Sequence, residues 1–174
     1  MSGAVEVYIG LGSNLGRPRR ELLAALEALA RLPGYTPGGV SSPYLTAPVG
    51  PQDQPPFVNA VARGMFEGEA TELLGALLEV ERQRGRVRDR RWGPRILDLD
   101  LLLFGDQVID LPQLKVPHPE MFHRAFVLVP LMELAPELVL PVWKRTAARL
   151  YLEMDPAEKA AQRVEKTTWG SGGS

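Results

Sequence analysis

The sequence predicts an α+β fold in which helices pack on a mixed, mostly antiparallel sheet. Over the first 104 residues, strand and helix patterns follow in the order strand, helix, strand, strand, helix, strand. This order matches the split βαβ, or ferredoxin-like, arrangement. Such a sheet carries its helices on one face. We expect the strand that contains Asp98 and Asp100 to lie in the centre of that sheet, with its acids lining a cleft under the loops.

The composition is that of one ordinary globular domain. The chain has 174 residues, of which 45% are hydrophobic and 24% are charged, and this length is sufficient for a single buried core. Cysteine is absent, which excludes disulfides, thiol chemistry and zinc–thiolate sites. We expect residues 1–168 to form one domain and the Gly- and Ser-rich residues 169–174 to be a flexible tail.

Charge and hydropathy argue against several classes of protein. A net charge of −1 is unlike that of a bulk nucleic-acid binder. The chain has no run of 18 apolar residues, and its N-terminus lacks a basic-then-apolar signal pattern. We therefore expect a cytoplasmic protein that binds neither nucleic acid nor membrane. Nothing in the sequence identifies a protein partner.

The first strand is predicted over residues 5–9, where apolar residues alternate with others. We expect a glycine-rich turn at residues 10–16, followed by a helix over residues 18–32 that ends at Pro33 and Gly34. Glycines between a strand and a helix suggest a dinucleotide-binding fingerprint. Leu15 stands where that fingerprint requires its third glycine, which disfavours a Rossmann fold.

A second strand is predicted over residues 40–45 and a third over residues 57–62, separated by a proline-rich loop. A loop of this length inside a domain is usually functional, often a lid; the alternative is an ordinary surface insertion. On the third strand, Phe57 and Asn59 share a face, and a buried amide there needs a hydrogen-bond partner. That partner is either a neighbouring loop or a flat ligand stacked on Phe57.

The second helix is predicted to begin with Thr71 as its cap and to carry Glu81 on its inward stripe, four residues after Leu77. Seven arginines follow between Arg82 and Arg95. Arginine binds phosphate in a planar, bidentate fashion, and clustered cations repel one another unless anions neutralise them. This cluster favours a polyphosphate site, although a solvated face paired with acids is the alternative.

The next strand is the centre of the predicted site. An apolar pattern over residues 96–104 is interrupted by Asp98 and Asp100, which share a face and have Cα atoms about 7 Å apart. Two carboxylates on an apolar strand require a positive partner. Arg95 supplies one charge, and an oxygen-only site suits magnesium. The alternative is that both acids pair with nearby arginines or cap loops.

The rest of the chain gives weaker signals. Short periodic runs predict a strand at residues 107–109, a loop at 115–119 and a strand or turn at 126–129. A short helix is expected at residues 130–134. An amphipathic helix is expected at residues 156–166.

Several segments taken together resemble a known family. They are residues 8–16, residues 41–44 through Asn59, residues 85–88, residues 91–100 and residues 116–119 with 124–126. They are similar to 6-hydroxymethyl-7,8-dihydropterin pyrophosphokinases of folate biosynthesis. The signature R-W-G-P-R-x-L-D-L-D is long and specific, and the resemblance extends from about residue 5 to about residue 140.

The resemblance implies a reaction in which the β,γ-diphosphate of ATP passes to the hydroxymethyl oxygen of the pterin, with release of AMP. It also implies the ferredoxin-like fold and two magnesium ions, both held by Asp98 and Asp100. These two acids would form the catalytic set together with Arg86 and Arg95. The implied nucleotide contacts are Glu81, Arg88, Arg91, Trp92, Leu101, His118 and Arg124.

For the pterin, the resemblance implies a sandwich between Phe57 and Phe126, with Asn59 at the polar edge. Backbone groups from Thr46 to Val49 would add contacts. The chain departs from the family pattern at Phe57, where a tyrosine often stands. It also has smaller residues at positions 47 and 119 than some members, and its arginine loop is one residue shorter.

Two other functions are compatible with parts of this pattern. One is a nucleotide- or pterin-binding regulator that has lost catalysis, and the intact Asp98, Asp100 and Arg95 argue against it. The other is an acid–metal nuclease, which the net charge and the Phe57–Asn59 platform disfavour. No general base is evident, because His118 is explained more simply as a loop histidine that bonds a phosphate.

Overall fold

The computed structural model describes residues 3–48, 53–85 and 96–170. The strands are β1 (Val5–Ser13), β2 (Tyr35–Val40), β3 (Tyr44–Thr46), β4 (Phe57–Phe66), β5 (Asp98–Phe104), β6 (Ile109–Asp110), β7 (Lys115–Val116), β8 (Val139–Leu140), β9 (Arg145–Thr146) and β10 (Glu165–Lys166). The helices are α1 (Pro18–Ala30), α2 (Ala70–Gln83), α3 (Ala125–Leu134), α4 (Ala147–Glu153) and α5 (Pro156–Gln162), with a short 3₁₀ turn at Met121–His123.

The main sheet has the strand order β10-β3-β4-β1-β5, and β2 also pairs with β4. Neighbouring strands are antiparallel throughout the described ranges. Strands β1 and β2 therefore run in the same direction with β4 inserted between them, which is the split βαβ arrangement. The α+β, ferredoxin-like prediction is confirmed.

The predicted central position of the Asp98–Asp100 strand is wrong. Strand β5 pairs with β1 on one side, and no other strand in residues 3–48, 53–85 or 96–170 pairs with its outer edge. That edge is covered instead, because Leu99 N donates to the buried Glu81 of α2 and Leu102 O accepts from His118 N. Because both of its edges are covered, the strand carries the apolar sequence typical of a central strand.

Helices pack on both faces of the sheet, whereas the sequence predicted one. On the first face, α1 and α2 contribute Leu22, Leu73 and Leu77 to a core that contains Leu11 and Leu99 of the sheet. On the second face, α3 and α4 build another core that covers only part of the sheet. Its buried members include Val61, Leu102, Leu103, Leu128, Leu131 and Leu150.

The single strand predicted over residues 40–45 is wrong, because residues 41–43 interrupt it. Strand β2 ends at Val40, and β3 begins at Tyr44, and both pair with β4. At the break, Ser41 N donates to Val61 O at 2.9 Å, while Ser41 Oγ accepts from Val61 N at 3.0 Å. A side-chain oxygen has replaced a backbone carbonyl, which is how serine interrupts a ladder.

The predicted turn at residues 10–16 is also wrong in its first half, since β1 continues through Gly10 and Gly12 to Ser13. A Cβ atom at Gly12 would lie 2.7 Å from Asn59 Oδ1. Glycine is therefore required at Gly12 for close approach of a neighbouring side chain. Of the three glycines at positions 10, 12 and 16, only Gly16, with φ at +68°, has the left-handed backbone that a turn glycine adopts.

Three further element predictions need correction. Helix α2 is capped by Glu69 in a capping box with Glu72, not by Thr71. Residues 126–134, predicted as a strand or turn followed by a short helix, all belong to the single helix α3, which is buried on most sides and shows little helical periodicity in its sequence. The C-terminal helix ends at Gln162, and the chain then forms β10. Trp169, one residue beyond the expected domain boundary, still donates its Nε1–H to Ser41 O at 3.2 Å.

Glu133 attaches α3 to the segment that joins β2 to β3 and to the start of β3. Its carboxylate accepts from the backbone N and the hydroxyl of Ser42, at 3.1 and 2.9 Å, and from the Tyr44 hydroxyl at 2.7 Å. Burial alone would raise the pKa of Glu133, but these donors lower it below its usual value. Their contribution to stability is therefore present above pH 4.5 and is lost as the pH falls through the lowered pKa.

We expect Tyr44→Phe to lower the free energy of unfolding by about 1 kcal/mol, because a hydrogen bond to a partly hydrated carboxylate is lost. Denaturant unfolding at pH 7 measures the change. Tyr35→Phe is the matched control. Tyr35, on β2, is also buried, and its hydroxyl makes no hydrogen bond to another residue in the described ranges. Equal losses in the two variants would contradict the role of Glu133.

Candidate active site

The site begins with a row of residues that runs across four strands. Asp98 of β5 lies opposite Gly12 of β1, which lies opposite Asn59 of β4, and Asn59 pairs with Tyr44 of β3. Directly opposed residues on antiparallel strands point to the same face. Asp98 and Asn59 therefore face the same side, separated only by a glycine, on the face opposite α1 and α2.

Asp100 extends this face by one row, because it lies opposite Gly10 of β1. Asp98 and Asp100 both line a cavity of about 330 Å³ next to the β5 edge. They are half-buried, so contact with solvent reduces the repulsion between them. Alternation correctly predicted that they share a face, but they are not dehydrated as a central strand would require.

The cavity is bounded by α2, by β5 and by residues 112–119. Leu99 N donates outward to Glu81 Oε2 at 2.6 Å, so the peptide groups of Leu101, two residues further along a regular stretch of the strand, face the same edge. Leu101 itself lines the cavity. This wall of the cavity therefore exposes backbone donors and acceptors.

Glu81 is 3% exposed on the inner side of α2, as its helical position predicted. Its carboxylate lines the cavity and accepts the Leu99 amide. A buried carboxylate that binds a backbone amide fixes the distance between the helix and the strand edge. Glu81 thereby sets the width of the cavity.

His118 lies on the opposite wall and is held by its own backbone. Its N–H donates to Leu102 O at 3.0 Å, and its Nδ1 accepts from Glu120 N at 3.2 Å. Burial, with a smaller effect of the Arg124 charge, lowers the pKa of His118 to about 4. At neutral pH the ring is uncharged, and since Nδ1 is an acceptor, Nε2 carries the proton and is a donor.

Arg124 connects the acid pair to α3. It occupies the N-cap position of that helix, and its Nη1 lies 3.8 Å from Asp100 Oδ2. Its guanidinium carbon lies 5.7 Å from the centre of the Phe126 ring, within cation–π distance. Arg124 is therefore a cationic partner of Asp100. Arg95, which the sequence predicted as a positive partner of the acids, lies outside the described residues.

Asn59 is 8% exposed, and its Nδ2 donates to Thr46 Oγ1 at 2.7 Å. The partner is thus a residue of the adjacent strand and not of a loop. The half-buried Phe57 lies on the same face, and its Cδ1 is 3.8 Å from the position of a Cβ at Gly12. One donor of the Asn59 amide is used by the protein, and the geometry of the remaining polar atoms is fixed.

Two buried amides near this row were missed by sequence reasoning. Asn14 Nδ2 donates to Gln54 Oε1 at 3.0 Å and to Pro55 O at 2.9 Å, and both side chains are buried. This pair joins the residues after β1 to the segment before β4. The polar residues themselves were the available signal, but a partner 40 positions away is not visible in a local pattern.

The structure brings most of the described site residues into two groups. The group beside β5 contains Glu81, Asp98, Asp100, Leu101, His118 and Arg124, and the group on β3 and β4 contains Thr46, Phe57 and Asn59. Phe126 lies in the first turn of α3, next to Arg124. Six predicted site residues lie outside the described ranges, namely Val49, Arg86, Arg88, Arg91, Trp92 and Arg95.

The described residues offer a small set of possible ligands for a metal ion. Within the described parts of the chain, no group of three or more His, Cys, Asp or Glu side chains is arranged to hold one. Asp98 and Asp100 are a pair of oxygen donors on the wall of a cavity that admits a ligand. Magnesium is commonly held by one or two carboxylates together with substrate phosphates and water, and this pair fits that mode.

None of the described helices has both the length and the apolar character needed to cross a bilayer.

Comparison with known proteins gives a consistent result. A family model described as 7,8-dihydro-6-hydroxymethylpterin-pyrophosphokinase (HPPK) matches residues 8–136. A 2-amino-4-hydroxy-6-hydroxymethyldihydropteridine pyrophosphokinase of Pseudomonas aeruginosa is 56% identical over 135 residues, which cover 78% of this chain and 83% of the relative. An enzyme of the same name from Haemophilus influenzae is 49% identical over 137 residues, with 79% and 86% coverage.

Solved structures support the fold alone. A Plasmodium falciparum HPPK-DHPS crystal structure with pterin and p-hydroxybenzoate superposes with a TM-score of 0.67 at 17% identity. The match covers 88% of this chain and 43% of that one. A second structure of that protein, with pteroate, gives a TM-score of 0.70 at 16% identity. This chain thus spans less than half of these structural neighbours.

We expect the free energy of unfolding to fall as the pH is lowered from 6.5 to 4, partly because of His118. In this window the unfolded chain binds a proton at His118 that the folded protein does not yet bind. The slope from one such group is at most about 1.4 kcal/mol per pH unit. Denaturant unfolding of wild type and His118→Gln across this range should give a shallower curve for the variant. Parallel curves would show that His118 titrates normally in the folded protein.

Proposed function

Because this chain belongs to the 7,8-dihydro-6-hydroxymethylpterin-pyrophosphokinase family, we propose that the cavity beside β5 and the Asn59 face of the sheet together form its catalytic site. The chain is an ATP-dependent pyrophosphokinase that acts on hydroxymethyldihydropterin in folate biosynthesis. The observation that supports this site most directly is the row in which only Gly12 separates Asp98 from Asn59. In the proposed site, this row would bring the phosphates and metal ions bound near Asp98 next to the heterocycle bound near Asn59.

The nucleotide is proposed to occupy the cavity beside β5. Its base would hydrogen-bond to the outward peptide groups of Leu101, with Glu81 keeping α2 at the correct distance. Its phosphates would approach the Nε2–H of His118 and the guanidinium of Arg124. His118 is neutral near pH 7, so it orients a phosphate oxygen without neutralising it. The charge must then come from Arg124, from metal ions and from other arginines.

The roles of the other arginines are proposed from the family resemblance. Arg86 and Arg95 are proposed to bind the transferred phosphates, and Arg88, Arg91 and Trp92 to contribute to the nucleotide side of the site. Arginine suits this role because its planar guanidinium can bind two phosphate oxygens at once.

Asp98 and Asp100 are proposed to hold two magnesium ions together with the triphosphate. When bound, the ions would neutralise negative charge on the attacking and leaving oxygens of the transfer. The contribution of the chain is to keep both carboxylates on one face, half-buried, beside the cavity. Arg124, 3.8 Å from Asp100, stabilises that carboxylate and orients it.

The pterin is proposed to bind on the Asn59 side. Thr46 accepts one amide hydrogen of Asn59 and thereby fixes which polar atoms face the heterocycle. Phe57 and Phe126 would stack on its two faces, and backbone groups from Thr46 to Val49 would complete the contacts. An asparagine held in this way recognises the donor and acceptor pattern of the ring edge.

The transfer itself requires alignment more than covalent catalysis. The hydroxymethyl oxygen of the pterin attacks the β-phosphorus of ATP, the bond from that phosphorus to the α,β-bridging oxygen breaks, and AMP leaves with this oxygen. The hydroxyl proton is released. His118 is poorly placed as the base, because its Nδ1 already accepts the Glu120 amide. We propose a cytoplasmic location, and we assign no role with nucleic acid.

The decisive experiment incubates the protein with ATP, magnesium and 6-hydroxymethyl-7,8-dihydropterin and measures AMP by chromatography. We expect AMP release that requires the pterin. Tight nucleotide binding without turnover would indicate a binding protein and overturn the catalytic proposal. Cleavage of a nucleic acid under the same conditions would favour a nuclease.

We expect Asp98→Asn to reduce kcat by about a hundredfold or more, because a metal-binding charge is removed at the reacting phosphates. The half-buried position of Asp98 makes a large effect on folding unexpected, and thermal unfolding should verify this. Asp106→Asn is the control, since Asp106 is exposed in the turn after β5. A near-normal kcat for Asp98→Asn would exclude a metal-binding role of Asp98.

We expect Gly12→Ala to raise the KM for the pterin by roughly tenfold, because the new methyl group would displace the Asn59 amide and lose its hydrogen bonds. The KM for ATP should change little. Gly10→Ala is the matched control on the same strand, since the nearest atoms to its Cβ would belong to the Leu102 side chain at 3.5 Å, an ordinary contact. Equal effects of the two substitutions on both KM values would point to general damage to β1.

A further inference from the structure

The C-terminal residues Pro156–Trp169 form an extended element that we term the C-terminal strap. It consists of α5, a turn at Arg163 with φ at +47°, and β10 with the residues that follow. It lies beyond residues 8–136, the part matched by the family model. A positive φ at a non-glycine residue is retained only where surrounding contacts stabilise it.

The strap is joined to the main sheet along the broken strand. Strand β10 pairs with β3, and Thr167 N donates to Pro43 O at 2.9 Å. The strap ends with the Trp169 indole bonded to Ser41 O at 3.2 Å. A separate bond, from Arg19 Nη2 to Thr167 Oγ1 at 2.8 Å, joins it to α1. The strap is therefore an added strand of the sheet on the side of the proposed pterin region.

Gln162, the last residue of α5, makes contacts of a different kind. Its Nε2 donates to His123 O at 2.9 Å, and its Oε1 accepts from Phe126 N at 3.4 Å. Its backbone carbonyl accepts from Ala47 N at 2.9 Å. One residue thus contacts the start of α3 and the end of β3, two elements 79 positions apart in the chain (126 minus 47).

The start of α3 needs such a partner. The first amides of a helix have no acceptor inside the helix, and a side chain at the N-cap usually supplies one. Arg124 occupies the N-cap of α3 and makes no capping hydrogen bond with its side chain. Gln162 supplies the acceptor from the strap, and its donor end binds the carbonyl that precedes Arg124. The first turn of α3 is consequently held at both sides.

We propose that Gln162 is a positioning residue that sets the two walls of the pterin region relative to each other, an inference that rests on the proposed function. One wall is the end of β3, where Thr46 orients Asn59, and the other is the first turn of α3, which carries Phe126. Glu133 also joins α3 to Ser42 and Tyr44, but it lies in the last turn of the helix, whereas Gln162 bonds the backbone N of Ala47, next to Thr46, and the backbone N of Phe126 in the first turn. The nucleotide cavity is bounded by α2, β5 and residues 112–119, none of which contacts Gln162 through a hydrogen bond. Arg124, which is proposed to approach the ATP phosphates, lies between the two groups at the start of α3 that Gln162 binds, but its guanidinium is held separately beside Asp100. We therefore expect the strap to act on pterin binding more than on ATP binding.

The test compares Gln162→Met with Thr167→Val. Each substitution approximately conserves side-chain size and removes hydrogen bonds of the strap, but the Thr167 hydroxyl bonds only to Arg19 of α1. We expect Gln162→Met to raise the KM for 6-hydroxymethyl-7,8-dihydropterin by roughly tenfold, with the KM for ATP changed less than about threefold. Thr167→Val should leave both KM values near wild type. A merely structural strap would give similar changes in the two variants, which would overturn the proposal.

A direct binding measurement separates this proposal from the assigned reaction. Isothermal titration with 6-hydroxymethylpterin, without ATP turnover, should show weaker binding to Gln162→Met by a similar factor. If wild type binds this probe but releases no AMP, the proposed function fails, while the titration still tests the strap. Unchanged affinity in Gln162→Met would overturn the role of Gln162. Should Gln162→Met not fold, Gln162→Glu, which retains the acceptor but loses the donor to His123, is measured in the same way with the same expected direction.

Discussion

The absence of a side chain at Gly12 is the constraint on which the site depends. Strand β1 lies between β4 and β5, so any side chain at this position would stand between Asn59 and Asp98. The 2.7 Å distance from a hypothetical Cβ to Asn59 Oδ1 shows that the amide uses this space. The amide proposed to bind the heterocycle and the carboxylate proposed to bind a cation are thus neighbours across a central strand.

The edge position of β5 explains how one strand both contributes to the core and lines a cavity. Its apolar residues Leu99 and Leu101 pack toward α1 and α2, while Asp98 and Asp100 point to the other face. Its outer backbone edge is partly bonded, to Glu81 and His118, and partly directed into the cavity. An open edge would be a hazard for aggregation, and covering it with a helix end and a loop also creates a pocket of ligand size.

Sequence periodicity predicted the residues whose role depends on local geometry. Asp98 and Asp100 share a face because strands alternate, Glu81 faces inward because helices repeat near four residues, and Asn59 follows Phe57 at the strand period. The same signals failed where long-range packing decides the outcome. Alternation could not distinguish the edge strand β5 from a central one, since a covered edge has an apolar sequence, and helix α3 lacked periodicity because it is buried on most sides.

The sequence by itself determined the α+β class, the acid pair, the inward Glu81 and the likeness to one enzyme family. Each of these features depends on residues that are close together in the sequence, within one helical turn, one strand repeat or one motif. Only the tertiary structure decided that Gly12 serves Asn59, that Arg124 approaches Asp100, and that Gln162 joins β3 to α3. These contacts join residues from 24 to 115 positions apart (124 minus 100, and 162 minus 47), and a hydrogen bond depends on distances that only the packed chain defines.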